Sequence, residues 1–282
     1  MKHIDSRLPI REAPADFPIR DYRCYDLRFV QVLFLGTGTS HGVPMIGCDC
    51  DVCQSTDPRD ARWRPSIYVT CDDGTRVLVD TTPDLRAQAL RFGVRQVDAI
   101  LYTHSHADHL MGLDEVRRFN AIKKSSMPVF ADERTTVDIR RAFSYIFDPD
   151  TPVAGGVPDL RLWRIGGGAF MIGRQEIVPI PVMHGRRPIL GFRLGRFAYL
   201  TDCNAIPESS LPLLAGLDTL VLDALRPLPH PTHFTLDEAV AMAHRIGARQ
   251  TLFTHIAHQM GHAATCASLP PQMALAYDGL LV

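Results

Sequence analysis

The chain has 282 residues, of which 46% are hydrophobic and 22% are charged, and this composition excludes disorder over most of its length. Thirty Lys and Arg residues stand against 31 Asp and Glu residues, so the formal net charge of −1 excludes a global basic field for holding nucleic acid or anionic lipid. The chain also contains 12 His and seven Cys residues, several of them in tight groups, which directs attention to metal binding.

The first part of the chain differs in pattern from the rest. Residues 1–28 mix charge and proline without a period, so we expect an N-terminal extension ahead of a single domain over residues 29–282. No apolar stretch approaches the roughly 20 residues of a membrane span, and residues 1–5 contain no apolar region of the signal-peptide type. We therefore expect a cytoplasmic protein.

From Val30 onward, short apolar runs alternate with turn signals. Strands are predicted at residues 30–35, 66–70, 76–80 and 99–102. The first leads into a Gly-rich loop, and an Asp-Asp-Gly turn joins the second and third into a hairpin. A helix is predicted over residues 83–92, with Leu85, Ala89 and Leu90 on one side.

The same alternation returns after a middle region. Further strands are predicted at residues 176–181, 191–194, 197–200, 219–223 and 251–253. A second helix is predicted over residues 236–246. The Pro- and Gly-rich stretch at 148–168 is predicted to be a long loop that joins two halves of one domain.

The most specific motif follows the short strand at 99–102. It reads Thr-His-Ser-His-Ala-Asp-His and contains four ligand-type side chains, namely His104, His106, Asp108 and His109. Two His residues one position apart in extended backbone point to the same side, whereas the next Asp and His lie where a helix begins and can face a second ion. Crowding four such groups together without a metal would leave costly unpaired polar atoms. The motif therefore predicts a site for two metal ions.

This motif resembles the signature of the metallo-β-lactamase superfamily, and the resemblance spans about residues 30–260. It implies an α/β fold, an αββα sandwich in which two mixed β-sheets are flanked by helices. It also implies three further ligands after later strands, for which this chain offers His184, Asp202 and His255. By that likeness one ion would be held by His104, His106 and His184, the other by Asp108, His109 and His255, and Asp202 would bridge both.

Three cysteines narrow the resemblance. Cys48, Cys50 and Cys53 form a Cys-x-Cys-x-x-Cys group, and tetrahedral zinc requires a fourth ligand. In the PhnP-like phosphodiesterase branch, which is related to tRNase Z, a His three residues after the last active-site His completes the site, and His258 matches it here. A redox or disulfide role is the rival interpretation; reduced cytosolic thiols and the lack of a neighbouring basic residue argue against it. We expect one structural zinc ion.

The resemblance also implies the chemistry. Two Mn²⁺ or Zn²⁺ ions would hydrolyse a small phosphodiester, for example a ribosyl 1,2-cyclic phosphate, through a bridging hydroxide, with Asp108 and Asp202 in the catalytic centre. A His on a late loop would protonate the leaving oxygen. The loop at 229–235 matches that position, with His233 as the favoured candidate and His230 as the alternative.

Supporting residues are predicted around this centre. Asp80 resembles the aspartate that orients ligand His residues in the superfamily. The Gly-rich loop at 36–40 could present N–H groups and the hydroxyls of Thr37, Thr39 and Ser40 to a phosphate, or could be no more than a tight turn.

Three other functions stay open. A tRNA 3′-processing endonuclease shares the ligand set but normally has a Gly- and Lys-rich arm, which this sequence lacks, and a thioester hydrolase belongs to a branch without the Cys cluster. A non-catalytic metal-binding module is the third. We expect a small phosphate ester as the partner, rather than nucleic acid or a membrane, and a homodimer is compatible with the sequence.

Overall fold

The computed structural model describes residues 11–12, 30–151 and 156–282. Within these residues the strands are β1 (Arg11–Glu12), β2 (Val30–Gly36), β3 (Ser66–Cys71), β4 (Arg76–Val79), β5 (Ala99–Leu101), β6 (Met127–Ala131), β7 (Leu160–Arg164), β8 (Phe170–Ile172), β9 (Gln175–His184), β10 (Arg187–Leu194), β11 (Phe197–Leu200), β12 (Thr219–Asp223), β13 (Gln250–Thr254) and β14 (Met273–Leu275). The α-helices are α1 (Leu85–Phe92), α2 (Ala107–Leu110), α3 (Val116–Lys123), α4 (Glu133–Ala142), α5 (Leu236–Ile246) and α6 (His262–Ser268).

The strands form two sheets of seven with mirrored organisation. The first has the order β1-β7-β6-β5-β4-β3-β2, and the second has the order β14-β13-β12-β11-β10-β9-β8. In each sheet an antiparallel hairpin part, β2-β3-β4 or β8-β9-β10-β11, continues into parallel strands. Both sheets are therefore mixed, as expected.

Three apolar layers hold the sheets and helices together. The inner layer joins side chains from both sheets, including Val69, Val79, Phe192 and Tyr199. Alternate residues of the same strands point outward, where helices α1, α3 and α4 cover the first sheet and α5 and α6 cover the second. This alternation follows from the two-residue period of a strand. The predicted αββα sandwich is confirmed.

The strand ends position the residues of interest. Asp80 follows β4, Asp202 lies two residues after β11, and His255 follows β13. All three have positive φ angles, of 64°, 57° and 62°. Non-glycine residues adopt this left-handed region rarely, and it persists where the surroundings fix it, often at functional sites.

Some predicted elements differ from the structure. The first helix begins at Leu85, and Leu90 is 67% exposed because it lies off the face on which Leu85 and Gln88 are buried. Strand β7 lies inside the stretch predicted as a continuous loop. Within the predicted extension, β1 pairs in parallel with β7, and the other residues of 1–28 lie outside the described residues. None of the helices in the described part of the chain combines the length and the apolar composition that a membrane span requires.

Candidate active site and metal centres

The motif at 103–109 lies where β5 ends and α2 begins. His104 and His109 are buried, Asp108 is 9% exposed, and His106 is exposed. The chain leaves β5 in an extended conformation and turns into α2 after His106 (φ −66°, ψ 154°). The four side chains thereby divide into two groups that face different neighbours.

The first group is completed from the second sheet. His104 and His106 meet His184, at the end of β9, and Asp202, after β11, and one ligand atom from each lies within 4.8 Å of the others. The imidazole rings are also in contact, with centroids of His104 and His106 4.5 Å apart. We call these four residues the first cluster.

The second cluster shares Asp202 with the first. It joins Asp108, His109, Asp202 and His255, whose ligand atoms again lie within 4.8 Å of one another. His109 Nε2 is 3.1 Å from Asp202 Oδ1, and His255 Nε2 is 3.2 Å from Asp202 Oδ2. The seven residues named from the sequence thus form two adjoining clusters that meet at one carboxylate.

The ring nitrogens of these His residues fit metal ligation. The buried Nε2 atoms of His104, His109 and His255 have no hydrogen-bond partner. The other ring nitrogen has a partner in two of the cluster His residues. His109 Nδ1 lies 2.7 Å from Asp80, and His184 Nδ1 lies 2.9 Å from the carbonyl oxygen of Thr232. Metal-binding His residues have this arrangement, with one nitrogen fixed from behind and the other free for the ion.

Charge in the clusters also suits a cation. Burial alone would raise the pKa of Asp202, but the neighbouring His109 and His255 outweigh burial and hold this pKa well below its usual value. Asp202 therefore stays ionised in the interior. Asp80 is fully buried, and it accepts hydrogen bonds from the N–H (2.9 Å) and hydroxyl (2.8 Å) of Thr103 as well as facing His109.

A separate cluster joins the Cys residues to His258. The Sγ atoms of Cys48, Cys50 and Cys53 lie 3.1, 3.4 and 3.6 Å from His258 Nδ1. Three thiols and one imidazole in such a group fit a tetrahedral zinc site of the structural kind. Of the other cysteines, Cys71 and Cys203 are buried and Cys266 is half-buried, while Cys24 lies outside the described residues.

A buried ion pair supports the loop between His255 and His258. Arg62 is 1% exposed, and its guanidinium donates to the carbonyl oxygens of Ala257 (3.4 Å) and Met260 (2.8 Å) and to Asp60 (2.9 Å). Backbone hydrogen bonds between Arg62 and Val43 connect this pair to the loop that carries the cysteines. The Cys cluster and the second cluster therefore share one braced loop.

Asp223 is a further buried residue of the site that no motif in the sequence indicates. It ends β12, between the strands that precede Asp202 and His255, and it is fully buried. Its Oδ1 lies 3.1 Å from His233 Nδ1 and accepts the Asp202 N–H (3.2 Å), while Oδ2 accepts the N–H of Phe234 (3.1 Å). Burial raises the pKa of Asp223 and lowers that of His233. The available signal was an acidic residue ending an apolar strand.

The two candidate acids occupy different places. The His233 ring lies 4.8 Å from that of His184 and 4.6 Å from that of His255, so it touches both clusters. The ring of His230 lies 5.0 Å from that of His233, on the same loop. Of the two rings, that of His233 is the one in contact with residues of both clusters.

The Gly-rich loop differs from the expectation of free donors. Thr37 is fully buried and its hydroxyl donates to Asp278 (2.8 Å), while the N–H groups of Gly38 and Thr39 donate to the carbonyl oxygens of Trp63 and Ile256. Ser40 alone of the three hydroxyl residues is exposed. As a correction, Thr37 and the Thr39 N–H hold the loop against the second sheet and are not available to a phosphate.

Comparison with known proteins decides the family. A family model described as a beta-lactamase superfamily domain matches residues 75–256, more than half of the chain. The chain belongs to the metallo-β-lactamase superfamily. The crystal structure of a diphosphatase from the PhnP family is 46% identical, with a TM-score of 0.84, and the match covers 90% of this chain and 96% of that one. The expected superfamily and the likeness to its PhnP-like branch are confirmed.

Two further similarities complete the comparison. Zn²⁺-bound PqqB from Methylobacterium extorquens shares the fold, with 19% identity and a TM-score of 0.70 over 89% of this chain and 99% of that one. The octanoyltransferase of Porphyromonas gingivalis is 35% identical over 254 residues, which are 89% of this chain. The chain spans about half (51%) of that protein's length. The superfamily fold implies divalent metal ions.

Proposed function

We propose that this protein hydrolyses a small phosphodiester, cyclic or linear, at the two adjoining clusters. The observation that carries the proposal is the position of Asp202, which belongs to both clusters at once. Paired sites of this kind hold two ions about 3.5 to 4 Å apart, a spacing that suits displacement at phosphorus. When bound, such ions would activate a water molecule and stabilise the charge of the phosphoryl oxygens.

The chemical type of the ligands limits which metal ions each site would hold. Imidazole and carboxylate groups suit both Mn²⁺ and Zn²⁺, so we propose either metal for the clusters around Asp202. Three thiols and an imidazole favour zinc, because thiolates select softer metals. We therefore propose a structural zinc ion at Cys48, Cys50, Cys53 and His258.

The protein's own residues hold the imidazole rings in place and would move a proton. Asp80 fixes the ring of His109 from behind, and the Thr232 carbonyl oxygen does the same for His184. Asp223 fixes His233 Nδ1, so that Nε2 is the nitrogen left to face a leaving oxygen. We assign His233 the role of protonating that oxygen, because its ring touches both clusters.

Two observations bear on the substrate. A net charge of −1 offers no general attraction for RNA, whose binding depends on phosphate contacts, and this favours a small ester. The 46% identity to a PhnP-family diphosphatase supports a P–O–P bond as a second candidate for the bond that is broken.

The proposal is tested by assaying three substrates with enzyme whose metal content has been measured. We expect turnover of bis(p-nitrophenyl) phosphate and of a 2′,3′-cyclic nucleotide, with about three metal ions per chain by elemental analysis. A thioester is the comparison substrate. Thioester turnover alone, or fewer than two ions per chain, would contradict the phosphodiesterase assignment and favour another branch of the superfamily.

A further inference from the structure

A second imidazole lies beyond His233 on the same loop. The rings of His230 and His233 are 5.0 Å apart, whereas the His233 ring is 4.6 Å from that of the cluster residue His255. His230 therefore lies beyond His233 as seen from the second cluster. It is half-buried, and the protonating step proposed for His233 gives it no role.

The loop that carries His230 is braced at several points. Its residues 226–232 include prolines at 227, 229 and 231, each of which fixes φ and so reduces backbone freedom. The Arg226 guanidinium donates to the carbonyl oxygens of Leu228 (3.3 Å) and Pro229 (3.1 Å). The Asn204 side-chain amide donates to the carbonyl oxygen of Pro231 (3.2 Å). A side chain on such a loop is held in place before any ligand arrives.

The contacts of His230 also define which nitrogen is available. The Thr232 N–H donates to His230 Nδ1 (3.4 Å), and the Thr232 hydroxyl lies 3.2 Å from the same atom. An Nδ1 that accepts leaves the proton of the neutral ring on Nε2. Among the described residues Nε2 has no hydrogen-bond partner, so it is a fixed donor without an acceptor.

We propose that His230 binds the leaving phosphoryl group of a diphosphate diester, which makes a P–O–P compound the substrate class of this site. The inference rests on the proposed function. A simple phosphodiester carries one phosphoryl group, and its leaving oxygen requires only His233. A diphosphate places a second anionic group beyond the bridging oxygen, and the His230 ring, 5.0 Å from that of His233, would offer its Nε2–H donor to that group.

The reaction balances with water as the only co-reactant. The oxygen of water forms a bond to the phosphorus at the clusters, and the bond from that phosphorus to the bridging oxygen breaks. The electron pair stays on the bridging oxygen, which takes a proton from His233 while water loses one. The products are two phosphate monoesters, and Nε2 of His230 donates a hydrogen bond to the one that leaves.

Substrate selectivity of the full-length holoenzyme tests this assignment. The probes are P¹,P²-di(adenosine-5′) diphosphate, which has a P–O–P bond, and bis(p-nitrophenyl) phosphate, which has none. For His230→Ala we expect the ratio of kcat/KM on the diphosphate to kcat/KM on the diester to fall by about 10- to 100-fold, the effect of losing one hydrogen bond to a charged group. His230→Gln, which keeps a donor, should recover part of the ratio, and metal content should match wild type. His244→Ala, an exposed His on α5, is the matched control and should leave the ratio unchanged.

Three outcomes would overturn the assignment. One is an unchanged ratio in His230→Ala. Another is a wild-type enzyme that cleaves the diester but not the diphosphate, which removes this inference and leaves the proposed function standing. The third is a fully metallated wild-type enzyme that cleaves neither compound, which removes both.

Discussion

His109 Nδ1 and Asp80 Oδ2 lie 2.7 Å apart, and both side chains are fully buried. The carboxylate fixes the ring so that the opposite nitrogen, which has no hydrogen-bond partner, faces Asp108 and Asp202. Burial raises the pKa of Asp80, against the effect of His109 and Thr103. A buried carboxylate that fixes the orientation of a His ring supports that His as a metal ligand.

Asp80→Asn tests this support. The amide keeps the shape of the side chain but removes the negative charge that polarises His109, so we expect active-site metal affinity or activity to fall by about 10- to 100-fold. Metal titration together with kcat on bis(p-nitrophenyl) phosphate measures both effects. Asp72→Asn, at an exposed hairpin position, is the control. Wild-type metal affinity and rate in Asp80→Asn would show that the contact does not support a ligand.

Asp202→Ala should remove the metal ions of both clusters. This carboxylate is the one residue that the two clusters share, so its loss leaves each site short of a ligand. We expect turnover to fall below detection while the ion at the Cys cluster stays, which elemental analysis of the purified variant would show as loss of about two ions per chain. A variant that retained wild-type activity would contradict the two-metal assignment.

Cys50→Ser should act on stability before it acts on chemistry. The substitution removes one thiolate from the group around His258, and loss of a metal is among the few mechanisms that destabilise a protein by well over ~1 kcal/mol. Because His255 lies three residues before His258, we also expect weaker metal binding at the second cluster. Zinc content and the urea midpoint of unfolding measure these effects. Asp51→Ser, at an exposed neighbouring position, is the control, and equal zinc content in both variants would contradict the site.

His233→Ala should spare the metals and slow the chemistry selectively. General-acid help contributes about 10²- to 10⁴-fold and matters most when the leaving oxygen is a poor leaving group. Methyl p-nitrophenyl phosphate loses p-nitrophenolate, which is a good leaving group. We therefore expect the substitution to slow its hydrolysis less than the hydrolysis of a dialkyl diester. Rates on a series of esters with increasing leaving-group pKa provide the measurement. A loss that does not vary along this series would argue that His233 only holds the loop.

That the seven candidate ligands come together could be predicted, because most of the sequence information for it is local. Four ligands lie within one six-residue stretch, 104–109, and the remaining three follow apolar strands in the expected order. Asp223 could not be found in this way. Its role arises from the parallel register of β11, β12 and β13, which places the end of β12 between Asp202 and His255, and a single Asp after an apolar run does not reveal that register.

The middle of the fold was harder to predict because its elements have weak local signals. Helix α4 contains two adjacent Thr residues and a Val, which favour helices poorly, and it forms because Asp132 caps its N-terminus and Thr135, Thr136 and Ile139 are buried against the sheet. Three of the donors expected of the Gly-rich loop, the Thr37 hydroxyl and the N–H groups of Gly38 and Thr39, are already engaged for a similar reason. Their acceptors, including Asp278 and the carbonyl oxygens of Trp63 and Ile256, come from distant parts of the chain.

Asp278 should make the stability of this protein depend on pH. Its carboxylate accepts hydrogen bonds from the Thr37 hydroxyl (2.8 Å) and the Trp63 N–H (2.7 Å), and burial raises its pKa to about 7, against about 3.9 in an unfolded chain. Between these values the folded state binds the extra proton. The contribution of Asp278 to the free energy of unfolding is therefore fully present below about pH 4 and is lost as the pH rises towards 7. This contribution is on the order of a few kcal/mol. Asp278→Asn cannot titrate, so the free energy of unfolding of wild type minus that of the variant should fall between pH 5 and pH 8 in urea denaturation. The same difference measured with Asp72→Asn should stay flat, and a flat profile for Asp278→Asn would show that its pKa is not raised.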